Sequence, residues 1–128
     1  MGARYKILIA DDGRDFVKVL GRLLESSGYE TCAAFEGIRA IEAAVKQKPH
    51  LVLLDIMMPT GDGIRVLEAL RSQPATKKLP ILVLTSSTDP SIEEQMRQKG
   101  AQGVLFKPID NDLLISSIKA LLPDSALS

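Results

Sequence analysis

Leu51-Val52-Leu53-Leu54-Asp55 and Ile81-Leu82-Val83-Leu84-Thr85 are the two stretches whose reading decides the fold. Each runs apolar without interruption and then stops at a polar residue. A strand with one wet face alternates apolar and polar residues. A strand that is apolar throughout is covered on both faces, as the central strands of parallel sheets are. Working outward, residues 5–10, 30–35 and 103–106 are further short runs of strand character. Helical periodicities fill the gaps. Across 14–27, Phe16, Leu20, Leu23 and Leu24 fall on one face, and Gly28 stands where a C-terminal cap is expected. Ile38, Ile41 and Val45 mark a second helix closed by Pro49. A third opens at Gly63 and turns Ile64, Leu67 and Leu70 inward. The fourth, at 91–99, carries Ile92 and Met96; the last, at 112–122, carries Leu114, Ile118, Leu121 and Leu122. Strands alternating with helices read as βαβ units. Right-handed crossovers and two-sided coverage then give an α/β fold, an open doubly wound five-stranded parallel sheet.

The 128 residues have the length of one domain. The reading is a single domain over 1–128, with its core at 5–122 and a small, polar, frayed tail at 123–128. The 16 Lys+Arg balance 16 Asp+Glu, so net charge offers no footprint for nucleic acid or an anionic membrane. Apolar runs are strand-sized, well short of the roughly 18 residues of a spanning helix, and no signal-peptide pattern opens the chain. The single cysteine, Cys32, fits a reducing, cytoplasmic compartment.

In doubly wound sheets ligands bind beyond the carboxyl ends of the strands. Four of those ends are polar here: Asp11-Asp12, Asp55, Thr85 and Lys107. Three carboxylates on one rim repel one another unless a cation sits among them. Hard oxygen ligands suit Mg²⁺, which takes a few carboxylates plus phosphate oxygens. A lysine and a hydroxyl on the same rim complement an anionic group beside the metal. Together they point to phosphoryl chemistry at a carboxylate.

The acidic pair, the Asp55-Ile-Met-Met-Pro-Thr-Gly-Asp-Gly63 stretch, Thr85 and Lys107-Pro108 resemble the receiver domains of two-component response regulators, in order and at the right strand ends. The resemblance implies the flavodoxin-like strand order 2-1-3-4-5. It implies Asp55 as nucleophile, taking a phosphoryl group from a phosphohistidine on a histidine kinase or phosphotransfer protein. It implies Asp12, Asp55 and the Met57 carbonyl as direct Mg²⁺ ligands, with Asp11 acting through water. Lys107 would pair with the phosphoryl oxygens and Thr85 would donate its hydroxyl to them. Such a domain catalyses its own phosphorylation and dephosphorylation but serves as a switch rather than a turnover enzyme. Output toward a downstream protein, or a homodimer, would use the face of the fourth helix, fifth strand and fifth helix. A stand-alone receiver is expected, since 123–128 reads more as a terminus than as a linker. One departure is plain: many receivers carry an aromatic residue three positions before the lysine, and here that position is Val104. Phe106 is expected on the opposite face of its strand. A cis Lys107-Pro108 bond is expected in the tight turn that aims Lys107 across the rim.

Blander readings stand beside these. Asp11 and Asp12 alone could cap a helix, Thr85 opens a polar loop, and Lys107 could satisfy one carboxylate. His50 reads as solvated, Cys32 as a small core residue, and Met57 and Met58 as packing or covering groups. A flavodoxin-like electron carrier would need a glycine- and hydroxyl-rich loop where Asp11-Asp12 stands. An aspartyl phosphatase would place its nucleophile after the first strand, with a second aspartate two residues on. A non-phosphorylated pseudo-receiver acting as a binding module would keep the fold but lose acidic or lysine positions, and none is lost here.

Overall fold

The computed structural model describes residues 4–58 and 63–122; the expected tail at 123–128, and 59–62 of the Asp55–Gly63 stretch, lie outside the described residues. Strands β1 (Lys6–Ala10), β2 (Glu30–Ala34), β3 (Leu51–Asp55), β4 (Ile81–Thr85) and β5 (Gly103–Phe106) alternate with helices α1 (Arg14–Ser26), α2 (Gly37–Lys46), α3 (Gly63–Ser72), α4 (Ile92–Gln98) and α5 (Asn111–Leu121). The strands form one parallel sheet in the order β2-β1-β3-β4-β5, so strand order reverses between β1 and β3. Both expected central strands are buried at every position.

Burial on both faces follows the period of two that a pleated strand imposes. Ile7, Ile9, Leu51, Leu53, Leu82, Leu84 and Leu105 pack with Val17, Leu20 and Leu24 of α1 and with Leu114 and Ile118 of α5. Leu8, Ala10, Val52, Leu54, Ile81, Val83 and Val104 pack on the other face, against α2, α3 and α4. Asp11 continues the α1/α5 side of β1, Asp55 that of β3, and Lys107 that of β5. Thr85 continues the opposite side.

Three sequence-based expectations are corrected. The buried residues of α2 are Gly37, Ala40 and Ala44, while Ile38 and Val45 are 70% and 39% exposed and Ile41 is partly buried. Small residues let the helix axis approach the sheet, so the larger side chains beside them are left outside. Phe106 is not opposite Val104. Val104 lies in the α2–α4 core and Leu105 in the α1/α5 core, and residues two apart on a strand share a face. Phe106 therefore lies on the Val104 side, past the buried stretch and 45% exposed. His50 is only partly exposed; its Nδ1 accepts the Lys6 N–H at 2.9 Å, and its ring meets Tyr5 edge-on at 5.1 Å.

The end of α1 explains Gly28. Its N–H bonds to Glu25 O and the Tyr29 N–H to Leu24 O, both at 3.1 Å, a Schellman closure that needs φ of +97° at Gly28. The chain is thereby turned directly into β2.

Candidate functional site

The rim is built from four strand ends. The Asp11 N–H continues the β1–β2 ladder to Ala34 O at 3.1 Å, and the Lys107 N–H continues the β4–β5 ladder to Thr85 O at 2.7 Å. These bonds fix the backbone where each functional side chain leaves the sheet. The Lys107-Pro108 bond is cis, as the sequence predicts.

Asp11 is 1% exposed. One carboxylate oxygen accepts the Gly13 N–H at 2.8 Å, and the other accepts Lys107 Nζ at 2.8 Å. Asp12 beside it is exposed. Asp55 is 4% exposed; its Oδ1 accepts the Met57 N–H at 2.9 Å, and its Oδ2 lies 3.7 Å from Lys107 Nζ. Oxygens of Asp11, Asp12 and Asp55 all lie within 4.8 Å of one another. Burial pushes the Asp55 carboxyl above the usual carboxylate range; the Met57 N–H and Lys107 act against this, and Asp11 and Asp12 add to it. One ammonium among three carboxylates leaves the cluster negative, the condition under which a hard divalent cation is favoured. All the side-chain donors are oxygens, so the chemistry of the set fits Mg²⁺.

Thr85 is fully buried, and its hydroxyl oxygen accepts the Ser87 N–H at 3.0 Å, tying the hydroxyl to the loop that leads to α4. The Met57 side chain is 58% exposed and its sulfur accepts the Ser86 hydroxyl at 3.6 Å, whereas Met58 is buried in the core. Met57 thus covers and Met58 packs. Asp11, Asp12, Asp55, Met57, Thr85 and Lys107 therefore all stand at one end of the sheet. Cys32 is partly buried on β2, where burial pushes its thiol up. His50 lies just before β3, at the opposite end of the sheet from Asp55.

The helical periodicity predicts Phe16 only on the inward face of α1. In the structure its ring centroid lies 4.4 Å from Lys107 Nζ. The available signal is an aromatic residue in the first turn of the helix that follows the acidic pair.

A parallel sheet in this order, with an acidic group and a lysine on its carboxyl rim, defines a class that comparison with known proteins makes specific. The chain belongs to the response regulator receiver domain family, whose model matches residues 7–119. The polar-differentiation response regulator DivK of Brucella anthropi is 31% identical over 119 residues, covering 93% of this chain and 97% of that one. Among solved structures, the chemotaxis protein CheY4 of Vibrio cholerae superposes with a TM-score of 0.87 at 31% identity, covering 94% of this chain and all of that one. The Francisella response regulator 1452 receiver domain gives 0.86 at 28% identity, covering 92% and 96% of the two chains.

Proposed function

We propose that this protein is a phosphorylation-dependent signalling switch, with Asp55 accepting a phosphoryl group from a phosphohistidine on a histidine kinase or phosphotransfer protein. The observation that carries this reading is the grouping of Asp11, Asp12 and Asp55 oxygens within 4.8 Å, with Lys107 reaching into it. An Asp55 oxygen bonds to phosphorus as the P–N bond breaks. The electron pair returns to the imidazole nitrogen, which takes up a proton, and an acyl phosphate results. Asp12, Asp55 and the Met57 carbonyl would hold Mg²⁺, with Asp11 acting through water. Bound there, the metal would neutralise charge on the transferred group. Lys107 would exchange Asp11 for the phosphoryl oxygens, and the Thr85 hydroxyl would turn from the Ser87 amide to donate to them. Positioning and charge stabilisation carry most of such catalysis. Hydrolysis of the acyl phosphate resets the switch.

The test is incubation with Mg²⁺ and a small phosphodonor. One acid-stable, base-labile phosphoryl group per chain is expected; no uptake would overturn the reading in favour of a non-phosphorylated binding module. Mg²⁺ titration is expected to weaken at least about tenfold in Asp12→Ala, the loss that even an outer-shell partner of a metal can produce. An unchanged titration counts against the assignment of Asp12.

Output is assigned to the α4–β5–α5 face, toward a downstream protein or a second copy. The C-terminal end of α4 is pinned. Arg71 donates to Gly100 O at 2.8 Å and to Gln102 Oε1 at 3.1 Å, and Arg97 donates to Gln102 O at 2.6 Å. The segment before α4 makes short-range bonds, such as Ser91 N–H to Asp89 Oδ1 at 2.9 Å. A pull on Thr85 therefore moves the backbone of 86–90 and the start of α4. Val104, β-branched with restricted χ1, adds little surface change. Hydrogen exchange with a phosphoryl mimic is expected to change within 86–107; changes confined to α1 and α2 would contradict this route. No helix among the described residues is long and apolar enough to cross a membrane; a cytoplasmic location, a single-domain organisation and the absence of a nucleic-acid partner belong to the same proposal.

A further inference from the structure

We infer that Phe16 is a positioning residue for Lys107, holding its ammonium against the ring face while it exchanges one anionic partner for another. The inference rests on the phosphoacceptor reading above. Lys107 has a long, rotamer-rich side chain, partly exposed at 24%, and loses considerable freedom when held in one place. Its contacts are unequal: 2.8 Å to Asp11 Oδ2 and 3.7 Å to Asp55 Oδ2. The Asp11 contact alone would hold the ammonium at β1, away from the proposed acceptor. The Phe16 ring, 4.4 Å from Nζ, supplies attraction of another kind. A ring quadrupole draws a cation to its face without fixing one hydrogen-bond direction. The ammonium can therefore swing from Asp11 toward Asp55 without losing the ring. An oxygen acceptor on α1 would compete for the ammonium instead of guiding it, and an aliphatic residue would leave it held by Asp11. Phe16 is itself only partly buried, at the margin of the α1/α5 core, so its contact with Lys107 is separable from core packing.

The test uses the full chain with Mg²⁺ and a small phosphodonor. Phe16→Leu, which keeps an apolar side chain, is expected to be phosphorylated about fivefold more slowly, within the range a partly desolvated cation–π contact supports. Phe16→Tyr, which keeps the ring, is expected to match wild type. In a Lys107→Ala background, Phe16→Leu should make no further difference, as a coupled pair requires. Independently of activity, the Lys107 ε-methylene proton resonances should be shifted upfield by the ring in wild type and Phe16→Tyr, and unshifted in Phe16→Leu. Equal rates for Phe16→Leu and wild type, the same fold-loss in both backgrounds, or no ring shift in wild type would each overturn the inference alone. A wild-type chain that shows the ring shift but takes up no phosphoryl group overturns the phosphoacceptor reading, and Phe16's part in it.

Discussion

Asp55→Asn is expected to take up no phosphoryl group at all, and yet to resist denaturant better than the wild type at neutral pH. The first result follows from chemistry: the amide keeps the shape of the side chain but offers no carboxylate nucleophile. The second follows from linkage. Burial raises the Asp55 carboxyl above its ordinary range, so the native state favours the protonated form relative to the unfolded chain. Stability is then lost as pH rises from the unfolded value through the raised native one. Asparagine never ionises and escapes it, while its oxygen can still accept the Met57 N–H. The advantage should shrink as pH falls into the carboxylate range. It should shrink too when Mg²⁺ is added, because the proposed binding of the ion to the native wild type would stabilise that state. Denaturant melts of both proteins across pH, with and without Mg²⁺, check each sign. A variant that is less stable than wild type at neutral pH contradicts the account of the buried carboxylate.

Gly63→Ala is expected to destabilise the fold by roughly 3 kcal/mol, at the upper end of what overpacking a tight site produces. A Cβ there would overlap the backbone oxygen of Asp55 and Cα of Ile56, and would stand 2.9 Å from the Ile56 carbonyl carbon. Backbone atoms cannot rotate aside as a side-chain tip can, so either α3 or the end of β3 must move. The end of β3 carries the proposed nucleophile, and slower phosphorylation should therefore accompany the lost stability. Equilibrium unfolding gives the energy, and a change within about 0.5 kcal/mol, the ordinary range for surface substitutions, would show that the approach of α3 to β3 is not the constraint.

Asp55 stands where the sequence is easiest to read. Asp11, Asp55, Thr85 and Lys107 each follow directly on an apolar run, and a polar residue that ends a central strand has few places to be except the rim. The strand cores were legible for the same reason: uninterrupted apolar runs admit few other readings. The face of α2 was not legible, because reading by side-chain size selects Ile38 and Val45, whereas close packing selects Ala40 and Ala44. Phe106 shares the face of Val104 through the period of two alone, so its side is legible in the spacing. The His50 hydrogen bond to Lys6 spans distant segments and leaves no local pattern. The contact of Phe16 with Lys107 was hidden similarly, being set by how α1 lies across the sheet. Gly63 is legible as a helix start, whereas the steric reason for glycine lies in the path of β3 beneath it, which no local pattern shows.

Asp55, among the carboxylates of the rim, is the proposed carrier of the phosphoryl group. Borohydride reduces an acyl phosphate to the corresponding alcohol, so an aspartyl phosphate is converted to homoserine. After phosphorylation with Mg²⁺ and a small donor, reduction and peptide mass spectrometry should find homoserine at position 55 and unmodified aspartate at positions 11 and 12. Homoserine at position 11 or 12, with Asp55 unmodified, would contradict the account.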